Sequence, residues 1–246
     1  MNNVRTVSNT KRSFYAHHTR PINAIYRRVV EELMVEMHLL SVNLDFVYDP
    51  LYALGVVTSF DRFMAGYQPE ADKDSIFAAI CNAVESSVDQ YRSDAEAIKS
   101  SANSLSLDEL KRQVAVAKTS SGTMLQDALR AISTNEKFKY SRLLAIGLYT
   151  LVEIVDASVL DDKEKRDALL TEMAEGLGLS SEKLPKDLEL YRSNLDKMAQ
   201  AQEVMKDIIE AGRKKREQRA QAQKAPETPA EEPATPSETS ESEAAG

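Results

Sequence analysis

The sequence contains little of what stabilises small secreted domains or builds β-sheets. Its 246 residues include one cysteine, eight glycines, eight prolines and no tryptophan. A single cysteine excludes a disulfide framework and a zinc site made of several thiolates, and it fits a reducing compartment. Few glycines beside abundant Ala, Leu, Glu and Lys favour helices, because sheets need glycine-containing turns and β-branched runs. We therefore predict an all-α fold.

Long hydrophobic runs are also lacking. No stretch is expected to reach the roughly 20 apolar residues that a membrane-spanning helix needs. The longest candidate, 143–155, is interrupted by Thr150 and Glu153. This run therefore predicts a helix buried among other helices of a soluble or peripheral protein.

Motifs that would indicate catalysis are missing as well. The chain has no glycine-rich phosphate loop, no dinucleotide-binding glycine pattern and no Gly-x-Ser-x-Gly. The three histidines, His17, His18 and His38, have no second set of ligands at metal-binding spacing, which indicates solvated or helix-surface imidazoles. A helical di-metal site would need glutamate three residues before His38, where the sequence has Val35. Cys81 lies in an apolar stripe without a neighbouring histidine, which indicates a buried, inert thiol. We predict no enzyme activity, no cofactor and no metal.

Acidic residues are absent from the first thirty positions, which carry six Lys or Arg although the net charge of the chain is -8. A second basic block, 213–224, has six basic residues against one glutamate. The acidic body argues against nucleic-acid binding, whereas confined basic blocks suit an anionic membrane or an acidic partner. A solvated helix end is the ordinary alternative for the second block. The predicted contact residues are Arg5, Lys11, Arg12, Arg20, Arg213, Lys214, Lys215, Arg216 and Arg219.

Helical periodicity covers most of the chain. Apolar residues at steps of three and four predict a helix from Pro21 to about Leu44, with the proline in its first turn. Asp49 followed by Pro50 predicts a second helix start, and Ser106 with Glu109 predicts a capping box. The region 86–121 has few large apolar residues, so we expect weaker packing there.

The last predicted helix has an apolar seam of heptad type. It needs a partner helix, which can be the body of its own bundle or another molecule, and both alternatives stay open. The seam residues after Pro185 are Leu188, Tyr191, Leu195, Met198, Gln202, Met205 and Ile209.

These patterns divide the chain into four parts. We predict a cationic N-terminal arm (1–18), a helical bundle domain (19–212), a basic helix extension (213–224) and a tail (225–246). The tail is acidic and rich in Pro, Glu, Ser and Thr, so it cannot bury enough apolar surface to fold. The predicted architecture is a multi-helix bundle with a long C-terminal helix and a disordered acidic tail.

Four blocks of this sequence resemble the thylakoid formation family, the photosystem II biogenesis proteins of cyanobacteria and chloroplasts. They are RTVSNTKRSFY (5–15), TRPINAIYRRVVEELMVEMHLL (19–40), FKYSR (138–142) and KDLELYRSNLDKM (186–198). The resemblance spans about 2–217. Because it begins so early, we expect the acid-free segment to belong to the mature protein and not to a transit peptide, and we expect a cyanobacterial origin.

The resemblance implies a non-enzymatic auxiliary protein, peripheral on the cytoplasmic (stromal) side of the thylakoid membrane and also soluble in the cytoplasm. The family is linked to photosystem II assembly and repair, to thylakoid organisation and to FtsH-type membrane proteases. The implied partners are therefore an FtsH-type protease complex or photosystem II assembly intermediates. The alternative is a structural peripheral protein that organises thylakoids by binding anionic lipid directly.

Overall fold

The computed structural model describes residues 5–222, with side chains as far as 218. These residues form ten α-helices, one 3-10 helix and no strand, which confirms the all-α prediction. The predicted tail, 225–246, lies outside the described residues. The elements are α1 (Val7–His17), α2 (Ala24–Ser41), α3 (Pro50–Phe63), α4 (Asp72–Ala83), α5 (Val88–Ala102), α6 (Leu107–Ala115), α7 (Met124–Thr134), α8 (Arg142–Asp156), the 3-10 helix (Ala157–Leu160), α9 (Lys163–Gly176) and α10 (Lys183–Ala222).

Two compact units divide the chain between Gln202 and Glu203. The first unit holds α1 to α9 and the beginning of α10. The described part of the second unit is the remainder of α10. The sequence had suggested boundaries after residues 18, 212 and 224. The division of the chain into those four parts stays a prediction.

Polar side chains cap most of the described helices, and two of these caps lie where the sequence predicted them. The Asp49 carboxylate accepts the backbone N–H of Tyr52 at 2.8 Å, so Pro50 occupies the first turn of α3 as predicted. The Ser106 capping box is also confirmed. Helix α2 differs from its prediction: it begins at Ala24, because the Asn23 side chain accepts the backbone N–H of Ile25 at 3.2 Å and Pro21 stays outside the helix.

The centre of the first unit is the pair α3 and α8. Ten consecutive residues of each helix are buried, because other helices cover every side of both. Arg142–Leu160 is nonetheless long and apolar enough to cross a membrane, a length that the sequence was not expected to reach. Since 61% of this stretch is buried inside the protein, its role as a buried core helix is confirmed.

Helices α1 and α5 are both anchored in the core. Helix α1 packs on α4 and α2, and its Phe14 is fully buried. Helix α5 packs along α3 and buries Tyr91 and Ile98, so the expectation of weaker packing is wrong for this helix. Buried alanines at Ala95 and Ala102 allow close packing where large apolar side chains are few.

The apolar seam of α10 packs within the first unit over its first half. Leu188, Tyr191 and Met198 are buried, and Leu195 is partly buried against the core. The Tyr191 ring lies edge-on to Phe63, with 5.7 Å between ring centroids. For this half, the body of its own bundle supplies the partner surface that the seam requires.

Candidate partner-binding surfaces

Two basic residues of the N-terminal segment are engaged in ion pairs with the helical body. Arg5 pairs with Glu85 at 2.9 Å between Nη1 and Oε1, and it also donates to the Ser41 hydroxyl at 3.3 Å. Lys11 pairs with Glu31 of α2 at 2.7 Å. Because each charge already has an acidic neighbour, neither is a free cation for an external partner.

Of the other two predicted contact residues in this segment, Arg20 is paired with an acidic side chain and Arg12 is not. Arg20 pairs with Asp72, whose side chain is only 3% exposed. Arg12 is exposed, and within the described part of the chain it forms no ion pair. The acid-free N-terminus is therefore largely neutralised by α2, α4 and the turn after α4. Partner or lipid contact by these residues stays a prediction.

The second predicted basic cluster lies on α10 in the second unit. Arg213, Lys214, Lys215 and Arg216 are all exposed. Arg213 lies 3.6 Å from Glu217 one helical turn later, a solvated pair that holds the arginine weakly. The Arg219 side chain lies outside the described residues. We call the four residues 213–216 the basic block.

An exposed apolar stripe precedes the basic block. Val204, Ile208 and Ile209 are 58%, 66% and 63% exposed. A spacing of four residues places Val204 and Ile208 on one face of the helix, and Ile209 extends this exposed surface onto the adjoining face. We call these three residues the α10 stripe. The predicted heptad seam included Ile209 but not Val204 or Ile208, because these two residues do not fall on seam positions. The sequence signal that could have revealed them is the pair of adjacent apolar residues at 204–205 and again at 208–209.

A groove in the first unit separates α2 from the first half of α10. The two helices run in opposite directions, with Tyr26 near Gln202 at one end and Glu36 near Asp187 at the other. Among the described helices, none packs its backbone closely on α10, which rests on the bundle through long side chains such as Tyr191. A cavity of about 510 Å³ remains between α2 and α10, and we call it the α2–α10 groove.

Apolar side chains form most of the interior of this groove. Phe63 of α3 and Leu143 and Ile146 of α8 lie at its floor. Leu190 of α10 lines the groove and is 45% exposed, which is unusual for a leucine beside a core. The remaining apolar lining includes Ile25, Val29, Leu33, Tyr191 and Met198.

Ion pairs and carboxylates border the groove at one end. Glu36 accepts from the Arg142 guanidinium at 2.9 Å, yet burial raises the pKa of Glu36 above its ordinary value. Asp187 accepts from the Tyr140 hydroxyl at 2.8 Å, and burial together with this carboxylate raises the pKa of Tyr140. The acidic end is thus a partly desolvated network in which each carboxylate has one strong donor.

The remaining titratable side chains are arranged for packing. No group of three or more His, Cys, Asp or Glu side chains in the described residues could hold a metal ion. Cys81 is buried, as predicted, and burial raises the pKa of its thiol to about 12, so the thiolate nucleophile is not populated near neutral pH.

Two histidines overturn the expectation of solvated imidazoles. His18 and His38 are each only 2% exposed. Their Nδ1 atoms lie 3.0 Å from the Ser75 hydroxyl and 2.8 Å from the Thr10 hydroxyl, so each ring has one hydroxyl partner, while the buried Nε2 of His18 has none among the described residues. Burial lowers the pKa of both imidazoles. His38 thereby joins α2 to Thr10 of α1.

Comparison with known proteins identifies the family. A family model described as thylakoid formation protein matches residues 6–220. Protein Thf1 of Trichormus variabilis is 60% identical over 230 residues, which cover 93% of this chain and 99% of the relative. Protein Thf1 of Synechocystis is 51% identical over 244 residues, covering 98% of this chain and all of the relative.

A solved structure supports the same assignment. The structure of Psb29 is similar to this chain with a TM-score of 0.76 and 45% sequence identity, and the match covers 86% of this chain and 98% of Psb29. Both the sequence matches and the shared fold confirm the resemblance carried by the four sequence blocks. The chain belongs to the thylakoid formation protein family, which is not a known enzyme family.

Proposed function

We propose that this protein is a non-enzymatic auxiliary factor in photosystem II biogenesis and repair and in thylakoid formation. It acts by binding an FtsH-type membrane protease complex or photosystem II assembly intermediates. Family membership implies association with thylakoids. Within that setting the protein works as a peripheral component on the cytoplasmic side, in exchange with a soluble pool.

The observation that carries this proposal is the α10 stripe beside the basic block. Ile208 and Ile209 are more than half exposed, and four cations follow within two turns. Apolar anchors bordered by charge are typical of protein interfaces, where the buried anchors supply most of the affinity and the charged rim steers association. The stripe can therefore anchor an acidic protein surface while the basic block orients it.

The decisive experiment replaces the apolar anchors and leaves the four residues of the basic block unchanged. In cells that contain thylakoids, a tagged chain carrying Ile208→Glu and Ile209→Glu should recover at least tenfold less FtsH-type protease or assembly intermediate from detergent extracts. Leu44→Glu is the matched control, because Leu44 is a fully exposed leucine that lies on the first unit, away from the α10 stripe in sequence. Equal recovery of these complexes by all three proteins would refute the proposal.

A second candidate function rests on the basic block alone. Cations near an anionic leaflet contribute about 1 kcal/mol each, so the four residues of the block allow a few kcal/mol of attachment. The ion pairs of Arg5, Lys11 and Arg20 leave the N-terminal segment less able to add to this. A structural, lipid-binding protein would pellet with purified anionic vesicles, lose binding in high salt, and recover no protease complex.

A further inference from the structure

We propose that the α2–α10 groove binds a short amphipathic helix contributed by a protein partner. The inference rests on the proposed function, in that the protein works by binding other proteins, but it concerns a different surface from the α10 stripe. The groove would receive the apolar face of the incoming helix, and its two rims would pair with the polar edges.

The dimensions of the groove suit a helix. Its lining extends along α2 from Ala24 to Glu36 and along α10 from Asp187 to Ala201. At about 1.5 Å per residue these walls are roughly 18 and 21 Å long, which corresponds to three or four helical turns. A helix that lies in an apolar groove needs anchors at i, i+3, i+4 and i+7, and this length accommodates them.

The rims of the groove repeat at helical spacing. On α2, Arg28, Glu32 and Glu36 follow each other at steps of four, and on α10 Leu190 and Lys197 lie about one and three turns along from Asp187. Such rows form ridges beside the groove, against which the side-chain rows of a third helix can interdigitate. Leu190, exposed on the α10 rim, supplies an apolar contact for that helix.

Charge determines the kind of helix that fits. Lys197 lies towards one end of the groove and forms no ion pair within the described residues, whereas the Asp187 carboxylate lies towards the other end. The partner helix should therefore carry an acidic side chain near Lys197 and a basic side chain near Asp187. Complementary charges of this kind select register and direction more than they add affinity.

Other occupants fit the groove less well. A phosphate group would find Arg28 and Arg142 already paired, at 2.9 Å each, with Glu32 and Glu36. A small polar ligand would lack a buried anchor, because the Ser59 hydroxyl, although it has no partner, is closed to solvent. The chain's own segment 223–246 has no large apolar side chain with which to fill the space.

The test begins with a photoreactive residue at the groove. In the full-length chain, Leu190→benzoylphenylalanine is irradiated in cells that contain thylakoids, and the crosslinked segment is identified by mass spectrometry. A protein segment with helical apolar spacing is expected. A synthetic peptide of that segment should bind the purified full chain, gain helical circular dichroism on binding, and bind Leu190→Glu at least tenfold more weakly.

Matched variants make the result specific to the groove. Leu44→Glu should bind the peptide within twofold of the unmodified chain, and thermal unfolding should show that Leu190→Glu remains folded. Lys197→Glu should weaken binding, and reversal of one acidic residue of the peptide should restore it. This rescue is not expected from a merely structural effect.

Several results would overturn the inference. They are the absence of a crosslink, a crosslink to lipid or to a second copy of this chain, and equal peptide affinity for the Leu190→Glu variant. Failure here is distinguishable from failure of the proposed function. If only the groove inference fails, Ile208→Glu with Ile209→Glu still lowers recovery of the protease complex and Leu190→Glu does not. If the proposed function fails, Ile208→Glu with Ile209→Glu recovers as much complex as the unmodified chain.

Discussion

Two aspartates begin helices in this protein under opposite electrostatic conditions. Asp49 caps α3 but is only 5% exposed, and burial raises the pKa of its carboxyl from 3.8 to about 6 despite backbone N–H donors. Asp162 caps α9 in solvent, and its pKa is lowered, chiefly by the hydrogen bond that its carboxylate accepts from the backbone N–H of Lys165. The same capping geometry therefore makes Asp49 a cost at neutral pH and Asp162 a gain.

The pKa of Asp49 predicts a specific pH dependence of stability. Folded Asp49 keeps its proton to a higher pH than unfolded Asp49, so its stabilising contribution is complete below pH 3.8 and is lost as the pH rises through about 6. Asp49→Asn keeps a good neutral cap. At about 1.4 kcal/mol per pKa unit, we expect the variant to be more stable by about 3 kcal/mol at pH 7 and nearly unchanged at pH 3.5.

Urea denaturation of Asp49→Asn and the unmodified chain at both pH values measures this difference. Asp162→Asn is the matched control, because it also replaces a capping aspartate and should give no gain at pH 7. An Asp49→Asn chain that is less stable than the original at pH 7 would show that the ionised carboxylate is favourable where it lies.

At the level of elements, the crossing of α3 and α8 depends on two glycines. A Cβ atom on Gly55 would lie 1.7 Å from the Leu143 carbonyl oxygen, and one on Gly147 would lie 2.0 Å from the Leu51 carbonyl oxygen. Both obstacles are backbone, which cannot rotate away as a side chain can. Glycine at these positions therefore permits the close approach of the two most buried helices.

The glycine contact predicts a large effect of one methyl group. Gly147→Ala should lower the free energy of unfolding by about 3 kcal/mol, since it forces two core helices apart. The midpoint of urea unfolding reports this change. Gly212→Ala, where the added methyl would meet nothing within 4 Å, should not destabilise the protein. An unchanged midpoint for Gly147→Ala would mean that the helices separate without cost.

The N-terminal helix differs from the structure that its charge pattern predicted. Local sequence indicated a cationic arm, because the segment is basic and polar. Helix α1 instead buries Phe14, and His38 lies 2.8 Å from the Thr10 hydroxyl. No local signal distinguishes an arm from a docked helix when its partners lie on α2 and α4, since the contacts that decide between them are distant in sequence.

At the level of the whole molecule, the core belongs to the first unit. Among the described residues, every buried apolar side chain precedes Gln202, and the last is Met198. The second unit contributes the α10 stripe and the basic block, which are exposed. Stability and the surface of the proposed function are therefore carried by different parts of the chain.

This separation predicts the behaviour of a truncated chain. Removal of residues 203–246 should leave cooperative unfolding and shift Tm by less than about 3 °C, because no buried apolar side chain is lost. The same truncation should abolish recovery of the protease complex. Thermal unfolding followed by circular dichroism measures the first effect. A broad or non-cooperative transition would show that the second unit also supports the core.

The sequence by itself determined the helical class, many helix starts and the family. Helix formation depends on caps and on spacings of three and four residues, which are local, and family resemblance depends on contiguous blocks. Only the tertiary structure decided that Arg5 meets Glu85, that His18 and His38 are buried, and that a groove lies between α2 and α10. Charge neutralisation, burial and cavities arise between residues far apart in the chain, so no local pattern can record them.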